Sequence, residues 1–205
     1  IFFAIKGKKN NGNLFIKESF KNGASLAVVN KIDKTTDSKK QLLVKDSLKV
    51  LTNVAKKIRL TSKAKIIAIT GSCGKTSLKE ILGHVFGKIS NVSYSPSSYN
   101  NKYGVPLSLF NIKQKDDFGV FEVGMDKIGE IDFLSKIIMP DVAVITNISY
   151  AHAKNFKSIN GIAKAKSEII YNINKNGSIV LNADDPFYNK HKTIALNRKI
   201  KVLSF

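Results

Sequence analysis

The chain has no tryptophan and only one cysteine, two arginines and four prolines among its 205 residues. A single cysteine, Cys73, excludes an internal disulfide framework and fits a reducing compartment. Long apolar runs are also missing. Nothing approaches the roughly 20 residues of a membrane span, so no membrane insertion and a cytoplasmic location are expected. The opening Ile1-Phe2-Phe3-Ala4-Ile5 is too short for a signal peptide, and its lysines follow the apolar run instead of preceding it. The scarcity of arginine bears on the formal charge of +19, from 34 basic and 15 acidic residues. A nucleic-acid module would cluster Arg and interleave exposed aromatics. Here the charge is nearly all lysine, scattered along a chain also rich in Asn and Ile. That pattern reads as compositional bias, with anionic substrates contributing, and nucleic acid is not expected as a partner.

What is present is ordinary for a globular protein: 43% hydrophobic and 24% charged residues. The length allows one large or two small domains. There is no initiating Met, and both ends are strand-like, so an internal fragment is expected. Residues 1–60 mix short apolar runs with polar helices: a strand over Ile1–Ile5, a helix over Phe15–Asn22, a strand over Leu26–Asn30 and helical spacing in Val50, Leu51, Val54, Ala55 and Ile58. A polar connector, Arg59–Lys65, marks the domain boundary. From there to residue 205, strands (Ile66–Thr70, Val120–Val123, Val142–Asn147, Ser178–Asn182, Lys201–Phe205) alternate with helices. The helices are Ser77–Phe86, Gly129–Ile138, Ile159–Asn174 and a short one near Pro186–His191. Near-continuous apolar strands separated by helices predict an α/β fold: a mostly parallel sheet, buried on both faces and flanked by helices, preceded by a small partial α/β domain. Ligands in such sheets bind at the carboxyl ends of the strands.

The most informative segment is Ile66-Ile67-Ala68-Ile69-Thr70-Gly71-Ser72-Cys73-Gly74-Lys75-Thr76-Ser77. A β-branched run stops at a glycine turn, and Gly-Lys-Thr opens a helix. That order builds a P-loop-type phosphate cradle from Gly71, Ser72, Cys73, Gly74, Lys75, Thr76 and Ser77: backbone N–H groups and a helix N-terminus face the anion, and Lys75 reaches the terminal phosphates. Thr76 can offer its hydroxyl to Mg²⁺. Ile69 stands where the usual motif has its first glycine, so the loop is a short one. Leu78, Ile81, Leu82 and Val85 fall on one helical face and are expected to pack. Cys73 fills a small-residue position, a redox sensor being the alternative.

Glu122 closes the apolar run Val120-Phe121-Glu122-Val123. A buried carboxylate is costly unless paired or bound to a metal. A lysine partner would satisfy it, but beside a phosphate loop a Mg²⁺ ligand is the better reading, since Mg²⁺ needs few protein ligands. His152 lies just beyond the strand ending in Thr146-Asn147 and is either a surface histidine or a metal ligand. Asn100-Asn101-Lys102-Tyr103-Gly104-Val105-Pro106 reads on its own as a turn, although its amides could orient a γ-phosphate.

Together these segments resemble the Mur ligases. The loop with Lys79-Glu80, Asn100-Asn101 before Gly104-Val105-Pro106, Glu122-Val123-Gly124-Met125 with Gly129-Glu130-Ile131, Pro140-Asp141-Val142-Ala143, Ala151-His152 and Ala165-Lys166-Ser167-Glu168-Ile169 carry the likeness. It covers essentially the whole chain and is strongest over 66–184. Within the family the motifs are most similar to the branch that joins UDP-N-acetylmuramoyl-tripeptide to D-alanyl-D-alanine in peptidoglycan precursor synthesis. The diaminopimelate-adding branch and folylpolyglutamate synthases usually carry Gly-Thr-Asn-Gly-Lys where this chain has Gly71-Ser72-Cys73-Gly74-Lys75. One departure is Asn11-Gly12-Asn13, where the family's UDP-sugar domain usually has Asp-Gly-His.

The resemblance implies an ATP-dependent ligase acting through an acyl phosphate, working as a monomer. It implies a partial UDP-sugar domain over 1–60 and a C-terminally truncated ATP-binding central domain over 61–205. It also implies two Mg²⁺ sites, served by Thr76 and Glu122 and by His152 and Lys166. Lys166 matches the family's carbamylated lysine, with Lys75, Lys166 and His152 as the catalytic set and Asn100 and Asn101 at the nucleotide. A fragment lacking the amine-donor domain is expected to be inactive alone.

Overall fold

Strand β4 (Lys65–Thr70) is the pivot of a six-stranded sheet in which every neighbouring pair is parallel. The computed structural model describes residues 1–7, 10–150 and 155–205, and these form two compact units, Ile1–Val54 and Ala55–Phe205.

The first unit holds a three-stranded parallel sheet of β1 (Phe2–Phe3), β2 (Ala27–Val29) and β3 (Gln41–Leu43). A short helix, α1 (Ile16–Lys21), buries Ile16 with Ala4, Ala27 and Val29. The Asn11-Gly12-Asn13 turn is structural here. Asn13 Oδ1 accepts from the Asn30 and Lys31 amides at 3.1 and 3.3 Å. A side chain at Gly12 would meet the Ile5 nitrogen at 2.5 Å, so only glycine fits. Helix α2 (Ser47–Thr61) has residues in both units.

In the second unit the strand order is β5 (Val92–Tyr94), β6 (Phe118–Glu122), β4, β7 (Val142–Ile145), β8 (Ser178–Leu181) and β9 (Lys201–Ser204). From β4 the chain leaves to one side for β5 and β6, then returns to the other side for β7. The carboxyl end of β4 is therefore the topological switch point, where such sheets bind ligands.

One face of the sheet carries the main core. Ile66, Ala68, Phe121, Val123, Ala143 and Ile145 pack under α4 (Gly104–Leu109), α5 (Glu130–Ile138), α6 (Ile159–Ser167) and α7 (Tyr188–Asn197). The other face carries α3 (Lys75–Gly87), whose Leu78, Leu82 and Phe86 lie against Ile67, Ile69, Val120 and Val144. Alternation along β4 explains the division, since successive side chains point to opposite faces.

Several expectations need correction. Burial on both faces holds at the centre of the sheet, where Ile67, Ile69, Val120 and Val144 lie buried under α3, and is incomplete at Val142 and Val180. On the α3 side, Val142, Val144 and Val180 line an open apolar cleft of about 840 Å³, because α3 is the one helix among the described elements that covers this side. Ile81 and Val85 are exposed, at 58% and 48%. The i, i+4, i+8 row from Leu78 takes the sheet contact instead. The 100–106 segment is not just a turn but leads into α4, which admits Pro106 in its first turn, where a backbone N–H has no intrahelical partner. The helix expected over Ile159–Asn174 ends at Ser167 and continues as a 3-10 turn over Glu168–Asn172.

The Arg59–Lys65 connector starts inside α2. Arg59 is buried there, giving its side-chain N–H groups to the Ile138 and Met139 carbonyls at 2.7 and 2.8 Å and to Asp141 at 3.1 Å. Asp141 also accepts from the Ile66 amide at 2.8 Å. The pair thus ties the end of α5 to the start of β4.

Candidate functional site

The loop between β4 and α3 depends on two glycines. Gly71 has φ +148°, and a Cβ on it would fall 1.8 Å from Thr146 Oγ1. Gly74 has φ +79°, a left-handed conformation, at the N-cap of α3. Polar groups after β7 hold the loop between them. Thr146 Oγ1 donates to the Cys73 carbonyl at 2.6 Å, and Asn147 Oδ1 accepts from the Cys73 amide at 2.9 Å. Ser72 Oγ accepts from the Ser149 amide at 2.8 Å and donates to its carbonyl at 3.0 Å. The Ile148 amide donates to Asp185 at 2.6 Å, which anchors the β7 loop in turn. These contacts leave the first N–H groups of α3, at Lys75, Thr76 and Ser77, without intrahelical acceptors at an electropositive helix end.

Thr76, Glu122 and Asn100 come together. Glu122 is 1% exposed at the end of β6. Thr76 Oγ1 donates to its Oε2 at 2.7 Å, and Asn100 Nδ2 donates to its Oε1 at 2.6 Å. Among the described residues no lysine forms an ion pair with this carboxylate. A hard cation fits the pair, because a carboxylate and a hydroxyl supply the oxygen ligands Mg²⁺ takes from protein. Among the described residues no three His, Cys, Asp or Glu side chains gather to hold a metal unaided. His152 lies outside the described residues.

The amide pair divides its work. Asn101 Oδ1 accepts from the Tyr103 and Gly104 amides, both at 3.0 Å, opening α4, while Asn100 serves Glu122. Both residues, with Lys75, Lys102 and Tyr103, line a second cleft of about 640 Å³.

Lys166, near the end of α6, is 1% exposed and donates to the Gly71 carbonyl at 2.7 Å. Lys75 donates to the same oxygen at 2.9 Å and to the Ser72 carbonyl at 3.3 Å. Burial first, and then the Lys75 charge, lower the Lys166 amine to about 7, with Cys73 opposing the shift. A large neutral fraction near pH 7 is what lets an amine act as a nucleophile toward CO₂.

Asp185 carried no distinct sequence signal, and Lys79 and Glu168 entered only as parts of the segments that carry the family resemblance, without a role. Glu168 accepts from the Gly129 and Asp132 amides at 2.8 and 3.0 Å, capping α5 from another element. Its two oxygens join the Ala-Lys-Ser-Glu and Gly-Glu-Ile segments, which in sequence stand far apart.

Comparison with known proteins gives this site its context. The Mur ligase middle domain matches residues 69–205. The UDP-N-acetylmuramoyl-tripeptide–D-alanyl-D-alanine ligase of Buchnera aphidicola subsp. Acyrthosiphon pisum is 36% identical over 204 residues, covering 100% of this chain and 44% of that protein. The Escherichia coli K12 enzyme of the same name is 32% identical, covering 98% and 44%. Among solved structures, MurF from Acinetobacter baumannii superposes with a TM-score of 0.88 at 32% identity, covering 98% of this chain and 44% of that one. The MurF ligase of Thermotoga maritima in complex with ADP gives 0.83 at 33% identity, covering 98% and 46%. A folylpolyglutamate synthase–AMPPCP complex, at 18% identity and a TM-score of 0.61, shares the fold. The chain spans a little under half the length of the curated relatives it matches. With the middle-domain match running from the end of β4 to the last residue, over the loop and the Thr76–Glu122 pair, the chain belongs to the Mur ligase family.

Proposed function

We propose that this chain is part of an ATP-dependent ligase that joins D-alanyl-D-alanine to UDP-N-acetylmuramoyl-tripeptide, in peptidoglycan synthesis and hence in cell shape and division. The observation that carries this reading is Glu122, buried and bonded to Thr76 beside a glycine loop at the sheet's switch point. Relatives bearing that ligase name cover almost all of the chain. A cytoplasmic monomer is the state we propose. No helix among the described residues is long and apolar enough to cross a membrane.

The loop amides and Lys75 would bind the β- and γ-phosphates of ATP. Lys75 now rests on the Gly71 and Ser72 carbonyls, and it would exchange them for phosphate oxygens. Thr76 and Glu122 would hold one Mg²⁺, which when bound supplies neutralising charge to the phosphates. The peptide's terminal carboxylate attacks the γ-phosphorus, ADP leaves, and an acyl phosphate results. The D-alanyl-D-alanine amine then attacks the acyl carbon, the tetrahedral adduct expels phosphate, and the amine's proton passes to a base. Positioning and charge placement carry most of the rate.

We further propose that Lys166 is carbamylated and that, with His152, it would hold a second metal, which would supply neutralising charge during phosphoryl transfer. Residues 1–60 would carry the UDP-sugar side.

Incubating the complete protein with ATP, UDP-N-acetylmuramoyl-tripeptide and D-alanyl-D-alanine tests the reading. Phosphate release that requires all three, with formation of the pentapeptide product, is expected. Equal release with glutamate and a folate in place of the last two would move the chain to the folate branch.

A further inference from the structure

Lys79 sits one helical turn beyond Thr76 on α3 and is 0% exposed, a costly place for an ammonium unless it is well bonded. Its Nζ donates to the Ser95 carbonyl at 2.8 Å and the Ser97 carbonyl at 2.6 Å, with Glu80 Oε1 at 2.6 Å. The Tyr94 ring lies 6.0 Å away and packs on Gly83, where a Cβ would come within 2.7 Å of that ring. The acceptors belong to the loop that follows β5, and Ser97 holds φ +45° within it.

That loop is fixed to β6 at both ends. The Ser95 amide donates to the Val120 carbonyl at 3.0 Å, and Ser95 Oγ accepts from the Glu122 amide at 3.3 Å. Asn100 binds the Glu122 carboxylate at 2.6 Å, and its carbonyl accepts from the Gly124 amide at 2.8 Å. Between these ends, Lys79 grips the backbone from the same helix that carries Thr76. One helix thereby bonds the carboxylate directly through Thr76 and, through the loop, sets the amide that bonds its other oxygen.

We propose that Lys79 is a positioning residue: it pins the Ser95–Asn100 loop so that Asn100 holds Glu122 with its second oxygen turned to Thr76. The inference rests on the reading that Thr76 and Glu122 bind Mg²⁺. An ammonium suits the task because it supplies several donors to converging carbonyls, whereas Met of similar length supplies none.

The test measures Mn²⁺ binding to the complete protein in the presence of ADP, by electron paramagnetic resonance, for wild type and Lys79→Met. Mn²⁺ affinity should fall by about tenfold or more, the scale for losing an outer-shell partner, while metal-free ADP binds as before. The Mg²⁺ concentration for half-maximal rate should rise in step, with saturating Mg²⁺ restoring turnover. A lysine that serves packing alone would lower the folded fraction without moving the metal dependence. Wild-type Mn²⁺ affinity in Lys79→Met overturns the inference, whereas failure of wild type itself to bind Mn²⁺–ADP overturns the metal reading beneath it. If Lys79→Met does not fold, the wild-type protein decides by nitrogen-15 NMR of its lysine ammonium groups. The Lys79 signal should shift when Mg²⁺–ADP is added, and an unmoved signal overturns the proposal.

Discussion

The amines of Lys75 and Lys166 meet at one oxygen, the Gly71 carbonyl, at 2.9 and 2.7 Å. Two ammonium groups so placed repel each other, and burial has already weakened the charged form of Lys166. The relationship gives a lysine that is neutral over part of the physiological range and lies against the loop assigned to phosphate.

Stability should show it. The Lys166 amine titrates at about 7 in the folded chain and at 10.5 ordinarily. Below pH 7 both states are protonated, so the cost of burying the charge is fully present. Between about 7 and 10.5 the unfolded chain binds the extra proton, and stability from this group rises with pH. The full swing is roughly 3–5 kcal/mol. In CO₂-depleted buffer, Lys166→Met should therefore gain most over wild type near pH 6, and the difference should shrink toward pH 10. Parallel unfolding curves across that range would refute the assignment.

Chemistry should show it as well. If Lys166 carries CO₂, Lys166→Ala in the complete enzyme loses most activity, and acetate partly restores it by filling the vacated site. Lys166→Arg fails and resists rescue, because a guanidinium stays charged and cannot hold CO₂. Carbon-13 bicarbonate should give a carbamate signal in wild type that is absent from Lys166→Ala. Rescue by amines instead of carboxylates would end the carbamate reading.

Arg59 offers a test away from the chemistry. Truncation to Ala takes the side-chain donor from the Ile138 carbonyl and the charge partner from Asp141, which keeps only the Ile66 and Asn174 amide donors. A loss of about 3 kcal/mol is expected in urea unfolding. Arg198→Ala, at an exposed residue whose bond to the Tyr171 carbonyl is 2.9 Å, should cost under about 1 kcal/mol. Similar losses in the two variants would contradict the buried-pair account.

Much of this was legible in the residues. The β4–loop–α3 unit stands out because an apolar β-branched run meets Gly71, Gly74, Lys75 and Thr76 in an order that serves one geometry. Glu122 was readable because a carboxylate closing an apolar strand needs a partner, and Thr76 supplies one. The edge strand β5 was not, since Val92–Tyr94 is three residues long between polar neighbours. Arg59 looked like part of a linker because its partner, Asp141, is more than 80 positions away. The burial of Lys79 and Lys166 was hidden for a simpler reason: in so lysine-rich a chain the residue type carries no information, and only the fold shows which ones lie inside.

The most direct test follows oxygen-18 in ATP. With the label in the β–γ bridge, reversible acyl-phosphate formation scrambles it into the non-bridging β positions. The complete enzyme should scramble the label when UDP-N-acetylmuramoyl-tripeptide is present and D-alanyl-D-alanine is absent, and Glu122→Ala should abolish the exchange while leaving the fold intact. Scrambling without the tripeptide, or undiminished scrambling in Glu122→Ala, would contradict phosphoryl transfer at the Thr76–Glu122 site.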